Sequence, residues 1–559
     1  MSIEEKELSI EEAMKLAIHN YQHGQLDQAE TLLRKILQVV PNKPDALNNL
    51  GIIVMKKGRI QEALKLFVHS ISLNDNDINV WNNLAELYKV QGKSGEALRH
   101  HKHQGKVETL FRLASKFQSF ENQDAAEMVL QELLQISPDS KKAHFEYGKV
   151  LFSKKEYEDA KAHYLTATAK ANDSQIQIYP LCSAKEWCRQ SSNHYQLVKE
   201  QEEIVVPKIP FDCDTPGLYD KKTFLANELY VAEIRNARIF SRCNFVIAED
   251  RAALYDLAVD PRSSRVSLRA DSLVIKYNDQ QKILCDYTGF QTTHAKCGIM
   301  LSGVPSNVYG HWFEEYLPKI QMFEQYPNFK EYPIYIDELP KDFIHALELL
   351  THNQHEIRTI PPNSSIIFDK LLVAPKFGFC PYDYLPNTPI EKQTFGERIT
   401  PQSLRYIRNN LLIHGKLKQE GKKAGVRIYL SRQKNSLRKL LNEKEICDFL
   451  VKNGFEILYP EKLCIEETIG YFNTADVVIG PAGSALTNMV FCKEGSKIII
   501  LLKEGSMFDL HLNGLMAQIS ESELILISGP GKPGSHWHPL HENFSIPIEK
   551  IKEKILPLI

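Results

Sequence analysis

What the sequence lacks narrows its class. No apolar run approaches the roughly 18 residues that a bilayer-spanning helix needs, and the longest, Ile498 to Leu502, reads as a core strand. The first residues, MSIEEKELSIEEAMK, are acidic and contain no apolar signal core. The ten cysteines form no CxxC pair, so neither a zinc ribbon nor a disulfide framework is expected. Reduced thiols and a cytoplasmic location are expected instead. Charge of one sign is also lacking: the net charge is −2, which gives no pull toward nucleic acid or an anionic membrane surface. A hydrophobic content of 43% and a charged content of 25% are those of a soluble globular protein, and 559 residues suffice for two or three domains.

The N-terminal part repeats itself. Leu16, Leu50 and Leu84 are spaced 34 apart, as are Gly24, Gly58 and Gly92, and Ala29, Ala63 and Ala97. Ala17, Gly51 and Ala85 fill a small-residue position where paired helices pack closely. Such units, each of two short helices and a glycine turn, resemble the tetratricopeptide repeat. Five are expected over about residues 10 to 174, the third shortened around His100 to Lys106, with later units starting near Val107 and Lys141. Residues 175 to 204 are expected to supply a capping helix or linker. The resemblance implies a solenoid groove for a peptide or protein partner. Asn48, Asn49, Asn82 and Asn83 fall on first helices, where they read as solvated polar surface. His100, His101 and His103 read as a solvated helix end.

The stretch ADVVIGPAGSALTNMVF, Ala475 to Phe491, organises the rest of the chain. Val477, Val478 and Ile479 suit a buried parallel strand, and Gly480 to Gly483 suit a tight turn. Ser484 suits the cap of a helix carrying Leu486, Met489 and Val490 on one side. A strand, a glycine turn and a helix N-terminus present free N–H groups that suit a phosphate. Gly483 allows close approach of a ligand. Further strands are expected at Val426–Leu430, Glu456–Leu458 and Lys497–Leu501, with helices at Glu443–Lys452 and Ile465–Phe472.

Around it, the run from Arg427 to Leu502 contains YLSR, Arg438, NE at Asn442–Glu443, GFE, and AD…GPAGSALTNMVF. Upstream, SNVYGHWFEEYLPKI spans Ser306 to Ile320. In order and spacing these blocks resemble the catalytic region of glycosyltransferase family 61, with Ala482 standing where many members carry histidine. The resemblance implies an α/β GT-B type domain pair of two Rossmann-like halves over about residues 205 to 559. The nucleotide-binding half would be about 425 to 505. It implies inverting transfer from a nucleotide sugar, most plausibly UDP-linked, to a protein or surface-polysaccharide acceptor. Inversion needs one base. His311 is the candidate, with Glu315 one helical turn on as orienting partner or alternative base. Arg432 and Arg438 match the family's positions for the diphosphate. Glu443, with Asn442 as its cap, would hold an arginine or a ribose hydroxyl, and Gly480, Gly483, Ser484 and Asn488 would complete the donor pocket. Trp312 and Phe313 read as packing residues.

No metal is expected. The triplet Asp212–Cys213–Asp214 sits in a proline-rich linker without a preceding apolar strand, and His536, His538 and His541 sit in a loop rich in proline and glycine. No cofactor is expected beyond the nucleotide sugar as co-substrate. Two rival readings are an inactive repeat scaffold that binds a protein partner and a glycoside hydrolase, which would need a pair of carboxylates flanking a sugar.

Overall fold

The computed structural model describes residues 9–74, 122–168, 176–191, 193–206, 222–259, 273–278, 282–377, 399–418, 425–432, 437–504, 510–535 and 541–558, with scattered positions between 77 and 118. The chain divides into two compact units, Met1–Ile178 with Leu284–Thr288, and Tyr179–Ile283 with Gly289–Ile559.

The first unit is built of helical hairpins. Described helices span Ile10–Gln22, Leu26–Val39, Pro44–Lys56, Ile60–Leu73, Gln123–Ile136, Lys141–Ser153 and Tyr157–Thr168. Gly24 and Gly58 take φ of +75° in the hairpin turns, a backbone state that favours glycine. The small-residue position works by contact. A Cβ on Gly51 would stand 2.5 Å from Cε1 of Phe67, and one on Gly148 would stand 2.8 Å from Cε2 of Tyr164. Adjacent hairpins are tied by charge: Glu30 pairs with Arg34, Lys57 and Arg59. Asn48 is buried, and its Oδ1 accepts a 2.9 Å hydrogen bond from Nδ2 of Asn83. This corrects the solvated reading of that pair: the two amides satisfy each other between first helices of neighbouring units. His100 to Lys106 and Asn82 lie outside the described residues.

The expected cap at 175 to 204 is corrected. Its residues form strands at Ile176–Cys182, His194–Lys199 and Glu203–Val206, with one short helix at Ala184–Gln190. Tyr179 and Leu181 are buried with Pro180 exposed between them, the alternation of a strand. Leu181 and Cys182 pair with Ala253 and Leu254 inside the second unit.

The second unit holds two large sheets, beside a two-stranded pair of Glu203–Val206 with Lys222–Leu225. One is parallel, with strands β1 (Val426–Leu430), β2 (Phe455–Leu458), β3 (Ala475–Pro481), β4 (Lys497–Lys503) and β5 (Glu523–Gly529) in the order β2-β1-β3-β4-β5. The strand order reverses between β1 and β3, so their carboxyl ends flank the crevice where such sheets bind ligands. Strand β5 and the helix His511–Ile519 before it extend the half beyond the expected limit near 505.

The other sheet corrects the expectation of a second Rossmann-like half. The strand Gln291–Met300 pairs in parallel with Ile334–Ile336 and Ser364–Val373, but Ser364–Val373 pairs antiparallel with the long strand Leu229–Phe240. That strand pairs antiparallel again with Val246–Ala248. The sheet is therefore mixed. One core cluster spans the two sheets, from Ile299, Trp312 and Phe343 to Ile428, Val478 and Ile500.

The contact at Gly51 carries a prediction. Gly51→Ala should lower the solenoid's stability by roughly 1–3 kcal/mol, because Phe67 is fully buried and the added methyl overpacks its ring. Thermal unfolding of the full chain, followed by far-UV circular dichroism, reads the shift. An unchanged transition would mean that the helix pair yields freely.

Candidate active site

The segment carrying His311 is placed by a buried carboxylate. Asp337, at the end of the strand Ile334–Ile336, accepts hydrogen bonds from the backbone N–H of Arg242 (2.7 Å) and Gly303 (2.8 Å) and from the Ser306 hydroxyl (2.7 Å). That fixes the approach to a helical stretch with a short α-turn at Tyr309–His311, a π-turn at Trp312–Tyr316 and a 3-10 turn at Leu317–Lys319. The regular helix expected here is thus widened, a distortion frequent at functional sites. Trp312, fully buried, donates Nε1–H to the Phe343 carbonyl at 3.1 Å and stacks on Tyr316 and Phe343, as a packing residue.

His311 and Glu315 meet as expected: Nδ1 lies 2.7 Å from Oε1. The other Glu315 oxygen takes a hydrogen bond from Lys376 Nζ at 2.5 Å. Burial opposes ionisation of Glu315 most strongly, but Lys376 and His311 together hold its carboxyl well below the usual range. A carboxylate so held is a poor base and a firm support for the imidazole. Sequence reasoning missed Lys376, which lies 61 positions away.

On the parallel sheet, Arg432 follows the carboxyl end of β1. Its backbone N–H donates to Glu443 Oε1 at 3.1 Å, and the Tyr429 hydroxyl donates to that same oxygen at 3.1 Å. Glu443 therefore anchors the arginine through its backbone. The guanidinium Nη1 donates to the Ala482 carbonyl at 2.5 Å. Among the described residues no carboxylate lies within ion-pair distance of it. Burial first, then the nearby positive charge of Arg438, pushes Arg432 down to about 10. Both effects would be relieved by a bound anion.

The glycine turn departs from expectation at two positions. Ser484 does not cap a helix: residues Ser484–Phe491 form a 3-10 helix whose N-cap position is Gly483, without a side-chain cap. Gly480 lies within β3 rather than in the turn, and a Cβ there would come to 3.0 Å from the Leu430 Cβ. At Gly483 a Cβ would stand 2.2 Å from Arg432 Nη1, so the glycine leaves room for the guanidinium. Asn442 occupies its cap position but makes no capping bond. Its side chain instead bridges the N–H and carbonyl of Ile546. Arg438 takes φ +55° and donates its backbone N–H to the His541 carbonyl at 3.1 Å.

The two blocks close on each other. The Tyr309 hydroxyl donates to Asn488 Oδ1 at 2.7 Å, and the Thr487 hydroxyl donates to Glu314 Oε1 at 2.6 Å. A Cβ on Gly310 would lie 3.5 Å from the Ser484 Cβ. Beside this seam is a cavity of about 500 Å³, lined among others by Tyr309, Asp342, Arg432, Glu461, Ser484 and Asn488. His311, Glu315, Arg438 and Glu443 do not line it. Among the described residues no group of three or more histidine, cysteine or carboxylate side chains is placed to hold a metal ion. His536 and His538 lie outside the described residues, as does the Asp212–Asp214 triplet.

Arg432 and the glycine turn thus lie at the reversal point of a parallel sheet, where such sheets bind ligands, and Arg432 shares the wall of a cavity with Tyr309, Asp342 and Phe343. The comparisons carry this to a family. Residues 309–499 match the model of glycosyltransferase 61, and residues 20–87 and 121–184 match a tetratricopeptide repeat model. The chain thus carries a glycosyltransferase 61 domain preceded by tetratricopeptide repeats. Solved structures similar to it include MamA from AMB-1, at 20% identity over 29% of this chain and 91% of that one, with a TM-score of 0.15. A thermophilic TPR protein of Thermus thermophilus, TTC0263, matches at 20% identity over 30% of this chain and 93% of that one, with a TM-score of 0.16. Pseudomonas aeruginosa PilF matches at 17% identity over 28% and 75%, with a TM-score of 0.16. The search of curated proteins gave no match.

The seam carries its own test. Thr487→Val keeps the shape but leaves the buried Glu314 oxygen without its donor, a loss of roughly 1–3 kcal/mol. The melting temperature should fall, and Thr487→Val with Glu314→Leu should recover part of the loss. Equal melting of wild type and the single variant would show that this bond does not hold the seam.

Proposed function

We propose that the second unit transfers a sugar from a nucleotide sugar, most plausibly UDP-linked, to a protein or glycan acceptor, without a metal and with inversion. The observation that carries this reading is Arg432: a guanidinium with no carboxylate within ion-pair distance among the described residues, held by Ala482 and given room by Gly483, facing a cavity of about 500 Å³. The leaving diphosphate gains negative charge as the glycosidic bond breaks, and a preorganised cation in a dry cavity stabilises that charge. Arg438 strengthens the positive field at Arg432. Ser484 and Asn488 offer polar contacts at the same wall.

In this reading His311 removes the acceptor's hydroxyl proton, and Glu315, pinned by Lys376, orients the ring and balances the charge that the imidazole gains. Glu315 is a positioning residue rather than an alternative base. The repeats hold a protein partner, which the Asn48–Asn83 tie leaves to other side chains of the groove. An inactive scaffold is the second reading, favoured by Ala482 in place of the histidine common in the family.

UDP binding measured by calorimetry should survive a chelator. Arg432→Ala should weaken it roughly ten- to a hundredfold, the worth of a charge-assisted bond to phosphate. Gly483→Ala should do the same while keeping the charge, because its methyl displaces the guanidinium. Normal UDP affinity in both variants would move the donor site elsewhere.

His311→Ala should abolish transfer to acceptor and leave UDP affinity within about twofold, since the base touches only the acceptor. Retained transfer would remove His311 from the mechanism, and loss of UDP binding along with transfer would place it at the donor.

A further inference from the structure

A second cavity, of about 300 Å³, lies on the mixed-sheet side of the same helical stretch. It shares no lining residue with the cavity at Arg432. Lys319, Lys376, Ser302, Tyr316, Asp256 and Glu228 are among its walls. Lys319 and Lys376 are only 7% and 8% exposed, and Ser302 only 2%.

The polar groups of this cavity are unevenly satisfied. The acids are engaged: Asp256 accepts from the Ala184 N–H at 2.9 Å and from the Tyr230 hydroxyl, and Glu228 is bonded to Lys185 and Tyr195. Lys376 is bonded to Glu315 and sits 4.5 Å from the Tyr316 ring centroid. Two donors on its wall are not engaged among the described residues. The Lys319 amine has neither a hydrogen bond nor an ion pair among the described residues, and the buried Ser302 hydroxyl has no partner. A buried ammonium without a direct ion pair is costly, and such a group lining one cavity with an unpartnered hydroxyl and a second lysine fits a ligand that brings oxygen acceptors and negative charge.

We propose that this cavity is a second ligand site, separate from the donor cavity, that takes an oxyanion, a phosphomonoester or a carboxylate, on Lys319 and Ser302 with Lys376 behind them. The assignment stands on these residues and does not depend on which nucleotide sugar fills the other cavity. In the empty site burial first, and the charge of Lys376 second, push Lys319 down to about 7, against the opposing pull of Asp256 and Glu315. Lys185 and Glu228 also face the cavity, already paired to each other. The ammonium is the binding form, so affinity for sulfate, whose own charge is constant here, should fall as pH rises from 6 to 8.

The test uses the full chain at constant ionic strength, with sulfate, glucose 6-phosphate, glucuronate and uncharged glucose as probes in calorimetry. Wild type should bind the anions and not glucose. A preference for glucose 6-phosphate or for glucuronate supports the site and decides between phosphate and carboxylate. Lys319→Met should weaken the preferred anion roughly tenfold or more, a charged hydrogen bond being lost. Its unliganded melting temperature should hold or rise, because an unpaired buried amine has been removed. Should Lys319→Met not fold, Ser302→Ala gives the smaller loss of several-fold. Arg432→Ala should leave sulfate binding intact while weakening UDP, which separates this proposal from the donor assignment. Undiminished anion binding in Lys319→Met, loss of all anion binding in Arg432→Ala, or glucose binding equal to that of its anionic analogues would each overturn it.

Discussion

The seam between Tyr309–Tyr316 and Ser484–Phe491 is the contact on which the site depends. Glu314 and Thr487 are 173 residues apart, yet their side chains meet in a buried 2.6 Å hydrogen bond. Tyr309 and Asn488 repeat the contact one turn away. Bonds of this kind are directional, so a slip of either segment leaves a buried carboxylate or amide unsatisfied. That penalty fixes the register between the mixed sheet, which carries His311, and the parallel sheet, which carries Arg432. A proposed base and a proposed phosphate anchor are thereby held in one frame without touching.

Neighbouring carboxylates on this segment show how environment assigns role. Glu314 and Glu315 are both buried. Burial raises Glu314, and its hydrogen-bond partner among the described residues is a neutral hydroxyl. Glu315 meets the same burial, but Lys376 and His311 outweigh it and keep the group ionised. The π-turn turns the two side chains to different surroundings, one into the seam and the other to the lysine and the imidazole. Chemically identical groups one residue apart thus act as a structural tie and as a charge support.

Legibility in the sequence followed the length of the physical interaction concerned. The strands and helices from Val426 to Lys503 were readable nearly to their ends, because β-branched runs between helical patterns are local signals. His311 with Glu315 was readable because four residues on a helical turn is a local spacing. The mixed sheet was not readable: whether Leu229–Phe240 runs parallel or antiparallel to Ser364–Val373 is decided by their pairing across more than a hundred residues. Lys376, Thr487 and Asn83 were missed as partners for the same reason, each being named only by a contact remote in sequence.

The glycines of the turn carry the point further, since composition alone gave them one job. Gly480 and Gly483 lie three residues apart in GPAG, and both read as phosphate-turn glycines. The first makes room for Leu430 inside the sheet, and the second makes room for the Arg432 side chain at its edge. A methyl at 480 would press on a core residue fixed on all sides. A methyl at 483 would press on the far end of a long side chain that can move away. Packing of the sheet therefore constrains the first position, and placement of the Arg432 guanidinium the second. Where a glycine motif borders a sheet, the residue across from each missing Cβ distinguishes packing from binding, and the spacing of the motif does not.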